Sequence, residues 1–330
     1  MSGFDTLGRM NEQRADGGAL RAALAAVLAG AVLAGCGGAA SSGTTARTPP
    51  ATAPTGAAEN AAPTDGGRDT GPTGGTDAAG APAAGAPLPK DAAGLAADLT
   101  TTTGALRAAI DAWDHEGRPP EAVVLLALRQ QRIVRHLARK PALADRTYPR
   151  LAAPLARQTR DDVTAARDLL SLVRPLKGGA KFRVREPEPA AALLRHFKRA
   201  ERRFGVSWQV LAAVMFVETK FGRVRSPSHT GAKGPMQFMP GTWAAYGMGG
   251  DVHDTGDSIL AAANYLHASG APRDYRRALF AYNHSQRYVN AVLLHAGQMK
   301  RDVRSFYRYH SWQVYVVTTD GDRRLTGPGL

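Results

Sequence analysis

Glu218 closes the apolar run Trp208-Gln-Val-Leu-Ala-Ala-Val-Met-Phe-Val-Glu218, and the loop Ser228-His-Thr-Gly-Ala-Lys-Gly-Pro-Met-Gln-Phe-Met239 follows it. Ser207 is read as the N-cap and Gly222 as the stop, which leaves room for about three helical turns. Leu211, Val214, Met215 and Glu218 then share one stripe, since they stand at i−7, i−4 and i−3 from the Glu. A carboxyl on an apolar face resists ionisation. Desolvation raises its pKa, and the negative end of the helix dipole pushes the same way. An acid that keeps its proton near neutral pH suits general acid catalysis.

A Glu near a helix end is by itself more often a solvated group. The neighbouring loop argues otherwise. Gly231, Gly234 and Gly241 punctuate a stretch that holds Met236, Gln237, Phe238 and Trp243. Glycines let the backbone approach a ligand closely, while the amide and aromatic groups supply contacts.

Glu218-Thr219, then Ser228-x-x-Gly231-Ala232-x-Gly234-x-Met236-Gln237, then Ala281-Tyr282-Asn283 resemble the three ordered motifs of the lytic transglycosylases with a lysozyme-like catalytic domain. The resemblance covers roughly residues 189–300, and the order of its motifs makes it specific. Thr219 stands where many members have Ser, Pro235 where many have Leu, and His284 where Gly or Pro is common. It implies one Glu that protonates the glycosidic oxygen between N-acetylmuramic acid and N-acetylglucosamine. The same Glu then takes the proton from the muramyl O6 as that oxygen closes a 1,6-anhydro ring. It further implies that Tyr282 hydrogen-bonds and orients Glu218, that Met236 and Gln237 line the central sugar sites, and that Ser228 contacts substrate. Asn283 is assigned equally to substrate or to the shape of its loop. No cofactor and no metal are implied.

Most glycosidases use two carboxyl groups, and the three motifs hold one. Asp251, Asp254 and Asp257 are the candidates for a second, in which case the enzyme would be a hydrolysing muramidase. Their spacing fits turns and helix caps better. An inactive peptidoglycan-binding module is the remaining alternative.

The single Cys supplies an address. Arg21 precedes the apolar stretch 22–33, and Leu33-Ala34-Gly35-Cys36 resembles the bacterial lipobox. About a dozen apolar residues suit a secretory signal better than a membrane span. Residues 1–35 are therefore read as a lipoprotein signal peptide and Cys36 as the lipidation site. The n-region carries three Arg against three acids, so secretion without lipidation is the alternative. Residues 36–90, rich in Ala, Gly, Pro and Thr, form an expected disordered tether with an r.m.s. reach on the order of 40 Å. The expected location is the outer face of the cell membrane, toward the wall.

Net charge is +14, and the first ninety residues hold six basic and seven acidic side chains, so the remainder carries +15. Arg195, Lys198, Arg199, Arg202 and Arg203 fall on one predicted helix. No zinc ligands, RNA-binding aromatic motif or helix-turn-helix accompanies them, which argues against nucleic acid. Peptidoglycan strands and the membrane are the expected partners; no protein partner is legible.

Helical periodicity marks a module at 91–178, with segments beginning after Pro119-Pro120 and at Leu151. Asp114-His115-Glu116 is read as surface. The domain at 186–330 should hold several short helices around a cleft, opened by Asp274 and Ser285 among others. Alternation over 312–317 and the Asp320-Gly321 turn predict a terminal hairpin covering a catalytic-domain edge, with Trp312 in the core. The expected fold is mainly α: a lysozyme-like helical catalytic domain, a preceding helical module and a small C-terminal β-hairpin.

Overall fold

A computed structural model describes residues 80–177 and 181–330. The signal sequence, Cys36 and residues 36–79 of the expected tether lie outside the described residues. The first helix, α1 (Ala92–Ala112), is opened by Asp91, whose carboxylate accepts from the Ala93 and Gly94 amides at 2.9 Å. Pro119-Pro120 cannot continue a helix, and α2 (Glu121–Arg139) starts directly after them. Then come α3 (Pro141–Thr147), a 3₁₀ turn at Tyr148–Arg150, and α4 (Ala153–Leu170).

The second half begins with α5 (Ala190–Phe204), stopped by Gly205 at φ 69°, and α6 (Trp208–Thr219). It continues through α7 (Pro240–Tyr246), α8 (Thr255–Ala268), α9 (Tyr275–Tyr282), α10 (Gln286–Arg301) and α11 (Arg304–His310). Asp254, Asp274 and Ser285 cap α8, α9 and α10 through their side chains. The hairpin pairs β1 (Tyr315–Thr318) with β2 (Gly321–Arg324) in antiparallel register, Tyr315 opposite Arg324 and Thr318 opposite Gly321. The fold is mainly helical with a small terminal hairpin.

One apolar core runs through both halves, from Ala81 and Leu95 to Phe306 and Trp312. At its centre lies α6, buried from Val210 to Thr219. Helix α10 packs on both α4 and α6. Where these helices meet, the fully buried Asp162 accepts from Arg308 (2.7 Å), Tyr309 (2.6 Å) and Gln298 (2.9 Å). A buried carboxylate is tolerated only when its lone pairs are satisfied in this way.

Three expectations are corrected. Residues 80–90, read as the end of the tether, pack on α2: Ala81 is buried, and Arg129 and Arg132 donate to the Ala86 carbonyl at 2.7 and 2.8 Å. Composition alone could not reveal that two arginines of α2 hold this backbone. The hairpin clamps the preceding helices rather than a catalytic edge. Leu176 donates to Val317 (2.9 Å), Gln131 bonds the Gln313 backbone through both ends of its amide (2.8 Å each), and Asp322 pairs with Arg135 and Arg139. Asp114 and Glu116 are exposed as expected, but His115 is half-buried, its ring stacked on Tyr307 at 3.8 Å and its Nε2 meeting the Ile110 carbonyl at 3.0 Å.

Candidate active site

Helix α6 places Glu218 in its last turn. Ser207 is the N-cap by backbone only, its carbonyl accepting from Val210 and Leu211. The helix stops at Thr219, earlier than Gly222 suggests, because Lys220 at φ 52° and Phe221 at φ 59° already turn left-handed. Glu218 is 5% exposed. Burial pushes its carboxyl up to about 8, with the Tyr288 hydroxyl and the Lys220 ammonium pulling in the opposite direction. The side chain is therefore a protonated acid at neutral pH.

The residue that orients it is Tyr288, in the first turn of α10, whose Oη donates to Glu218 Oε1 at 2.8 Å. This corrects the assignment of that role to Tyr282, whose hydroxyl donates to the Met236 carbonyl at 2.7 Å. Burial and the nearby Glu218 raise the pKa of the Tyr288 phenol well above its usual value, so it remains a donor. With Oε1 accepting, the acid proton belongs on Oε2. The sequence signal for Tyr288 was its place on the buried face of α10, one turn before Val292 and two before His295. The third motif ends at Asn283, five residues short of Tyr288.

Lys220 lies on the other side. It is 5% exposed, donates through Nζ to the Phe216 carbonyl at 3.0 Å, and sits over the Phe216 ring at 4.1 Å. Burial and the nearby Arg135 bring its pKa down to about 7, while Glu218 acts to raise it. Its ammonium sits against the negative end of α6, the position that complements a helix dipole.

The loop is tied to the helix by Thr219. Its Oγ1 donates to the Pro235 carbonyl (2.6 Å) and accepts from the Gly222 amide (2.9 Å). Lys233 and Phe238 exchange backbone bonds at 2.9 and 2.8 Å, making a tight turn with Gly234 at φ 75° and Gln237 at φ 54°. A Cβ on Gly234 would lie 1.9 Å from the Val252 carbonyl oxygen, so this glycine is required by contact as well as by conformation.

Other predicted residues take distinct positions. Ser228 shapes the loop, its Oγ accepting from the Ala232 amide at 2.9 Å and meeting the Thr230 hydroxyl. Met236 is fully buried, which corrects its assignment to a sugar-lining wall; its carbonyl instead holds Tyr282. Gln237 is 9% exposed, and its Nε2 donates to Gly234 O at 2.9 Å. Asn283 is buried at the end of α9, and its Oδ1 has no hydrogen-bond partner. An aromatic row joins these elements, from Tyr246 through Tyr265 to Tyr282 and on to Phe238 and Trp243. Asp251, Asp254 and Asp257 bond backbone amides of their own turn.

A buried acid, a hydroxyl that orients it and a glycine-rich wall on a helical scaffold define a lysozyme-like glycan-cleaving class. Residues 195–303 match the family described as Transglycosylase SLT domain, so this part of the chain is a peptidoglycan lytic transglycosylase domain, a lyase with the lysozyme-like fold. No curated protein and no solved structure matches the chain.

Proposed function

We propose that the chain cleaves the bond between C1 of N-acetylmuramic acid and O4 of N-acetylglucosamine without water, using Glu218 as acid and then as base. Glu218 gives its Oε2 proton to O4 as the C1–O4 bond breaks. The carboxylate left behind is stabilised by the Tyr288 hydroxyl, and it takes the proton from the muramyl O6 as that oxygen bonds C1. The acid is regenerated and a 1,6-anhydro end is formed.

The carrying observation is that Glu218 stands as the one acid at its site. Among the described residues, the ionisable groups coupled to it are Tyr288, Lys220 and Tyr282, and none of them is a second carboxylate. Gln237 and the half-buried rings of Trp243, Tyr246 and Tyr282 are the groups that would meet the sugar rings. Mass analysis of products from purified peptidoglycan tests this reading: anhydromuropeptides support it, and reducing-end muropeptides would replace it with hydrolysis.

The site of action is proposed to be the wall-facing side of the cell membrane, with Cys36 carrying a lipid. A Cys36→Ala protein that took up labelled lipid as well as the parent would overturn the anchor.

A further inference from the structure

Helix α5 buries Leu193, Phe197 and Ala200 in the core and turns Arg195, Lys198, Arg199, Arg202 and Arg203 to solvent. These five are spaced three and four residues apart, so like charges face each other along one row. Among the described residues, only Arg195 of the five has a carboxylate within 4 Å, the exposed Glu116 at 3.5 Å. The acid within the helix, Glu201, is engaged by the Trp208 amide at 3.1 Å.

Ser207 donates its amide to the Tyr275 hydroxyl at 2.8 Å, which ties the start of α9 to the joint between α5 and α6. There Arg273, Arg276 and Arg277 are exposed and form no ion pair among the described residues, while Asp274 is used as the α9 cap. Four of the five α5 cations thus have no carboxylate partner among the described residues, and three further arginines stand at the adjoining start of α9.

We propose that this surface binds a linear anionic polymer whose charges are phosphodiesters, of the polyol-phosphate kind. Guanidinium groups match phosphate oxygens by shape and charge, and a row along one helix matches repeating charges on a single strand. A flat bilayer would call for apolar side chains among the cations, and the apolar face of α5 is already spent in the core. A nucleic acid would call for exposed stacking rings, and the Phe204 ring is covered by the Arg203 guanidinium at 5.2 Å. The catalytic reading enters only in placing the enzyme where such a polymer occurs.

The test is binding of the full chain to soluble poly(glycerol phosphate), measured by calorimetry over a salt series. Binding should weaken steeply with salt, and the triple variant Arg199→Gln, Arg202→Gln, Arg203→Gln should weaken it at least tenfold. Its turnover of short glycan oligomers lacking phosphate should equal that of the parent, which separates this proposal from the catalytic one. The control triple Arg146→Gln, Arg150→Gln, Arg157→Gln removes the same charge from other exposed positions. Equal loss in the control, no binding at low salt, or anionic phospholipid vesicles that the polymer cannot displace would each overturn the proposal.

Discussion

Glu218 needs its proton for the first step and must lose it for the second, so its pKa sets the working range. The alkaline limb of kcat/KM should lie near pH 8, measured on soluble glycan oligomers. Glu218→Gln should lower kcat on the order of 10²–10⁴-fold. It should also change the pH dependence of stability. Folding raises this acid from its ordinary 4.5 to about 8, so the unfolded chain holds fewer protons between those values. Stability therefore falls as pH rises across that window and levels off above it. Gln cannot ionise, and the Tm of the variant should gain on the parent from pH 5 to 8, by on the order of 5 °C or more, then run parallel. Tyr288→Phe removes the hydrogen bond to the carboxylate and should move the alkaline limb up by roughly one to two pH units. Lys220→Met should move it up less, because Lys220 titrates near 7 and is largely uncharged where Glu218 ionises. At this scale the burial of Glu218 was legible from the apolar run of α6, although the structure buries the whole helix from Val210 to Thr219 rather than one stripe of it. Its partner was not, because two tyrosines stand six positions apart and only the angle between α9 and α10 decides which reaches the carboxyl.

The elements that carry the site are short, and their joints matter more than their interiors. Gly234→Ala would drive a methyl into the Val252 carbonyl at a positive φ, at a cost of about 2–5 kcal/mol. Thermal unfolding should show the lower Tm, and KM should rise because Gln237 shares the same turn. Caps were readable from the sequence: Asp274 and Ser285 open α9 and α10 as their residue types predict. The stop of α6 was not, because the left-handed turn falls on Lys220 and Phe221, residue types that carry no such preference. Thr219 likewise read as a variant of a Ser, while its hydroxyl joins the helix to the loop.

For the whole molecule, the segments read as module and catalytic domain share a core and a buried polar knot at Asp162. Asp162→Ala would strand the Arg308 guanidinium and should cost about 3–5 kcal/mol, with urea unfolding still a single transition. A fragment of residues 186–330 alone should lack cooperative unfolding by circular dichroism. Periodicity found both halves but could not show that their apolar faces meet. The clamp between Gln131 and Gln313 has a further meaning for how the chain becomes active. It joins positions 182 residues apart, and the Arg135 pair with Asp322 spans 187. Contacts of that range form late, after the entropy of closing the loop between them has been overcome. The Phe216 ring, over which Lys220 sits, is tilted against Tyr309 and edge-on to Trp312, and both lie just before that clamp. Until these ends have met, the ring beneath Lys220 lacks its packing, so the helix that carries Glu218 is completed only when nearly the whole chain is present.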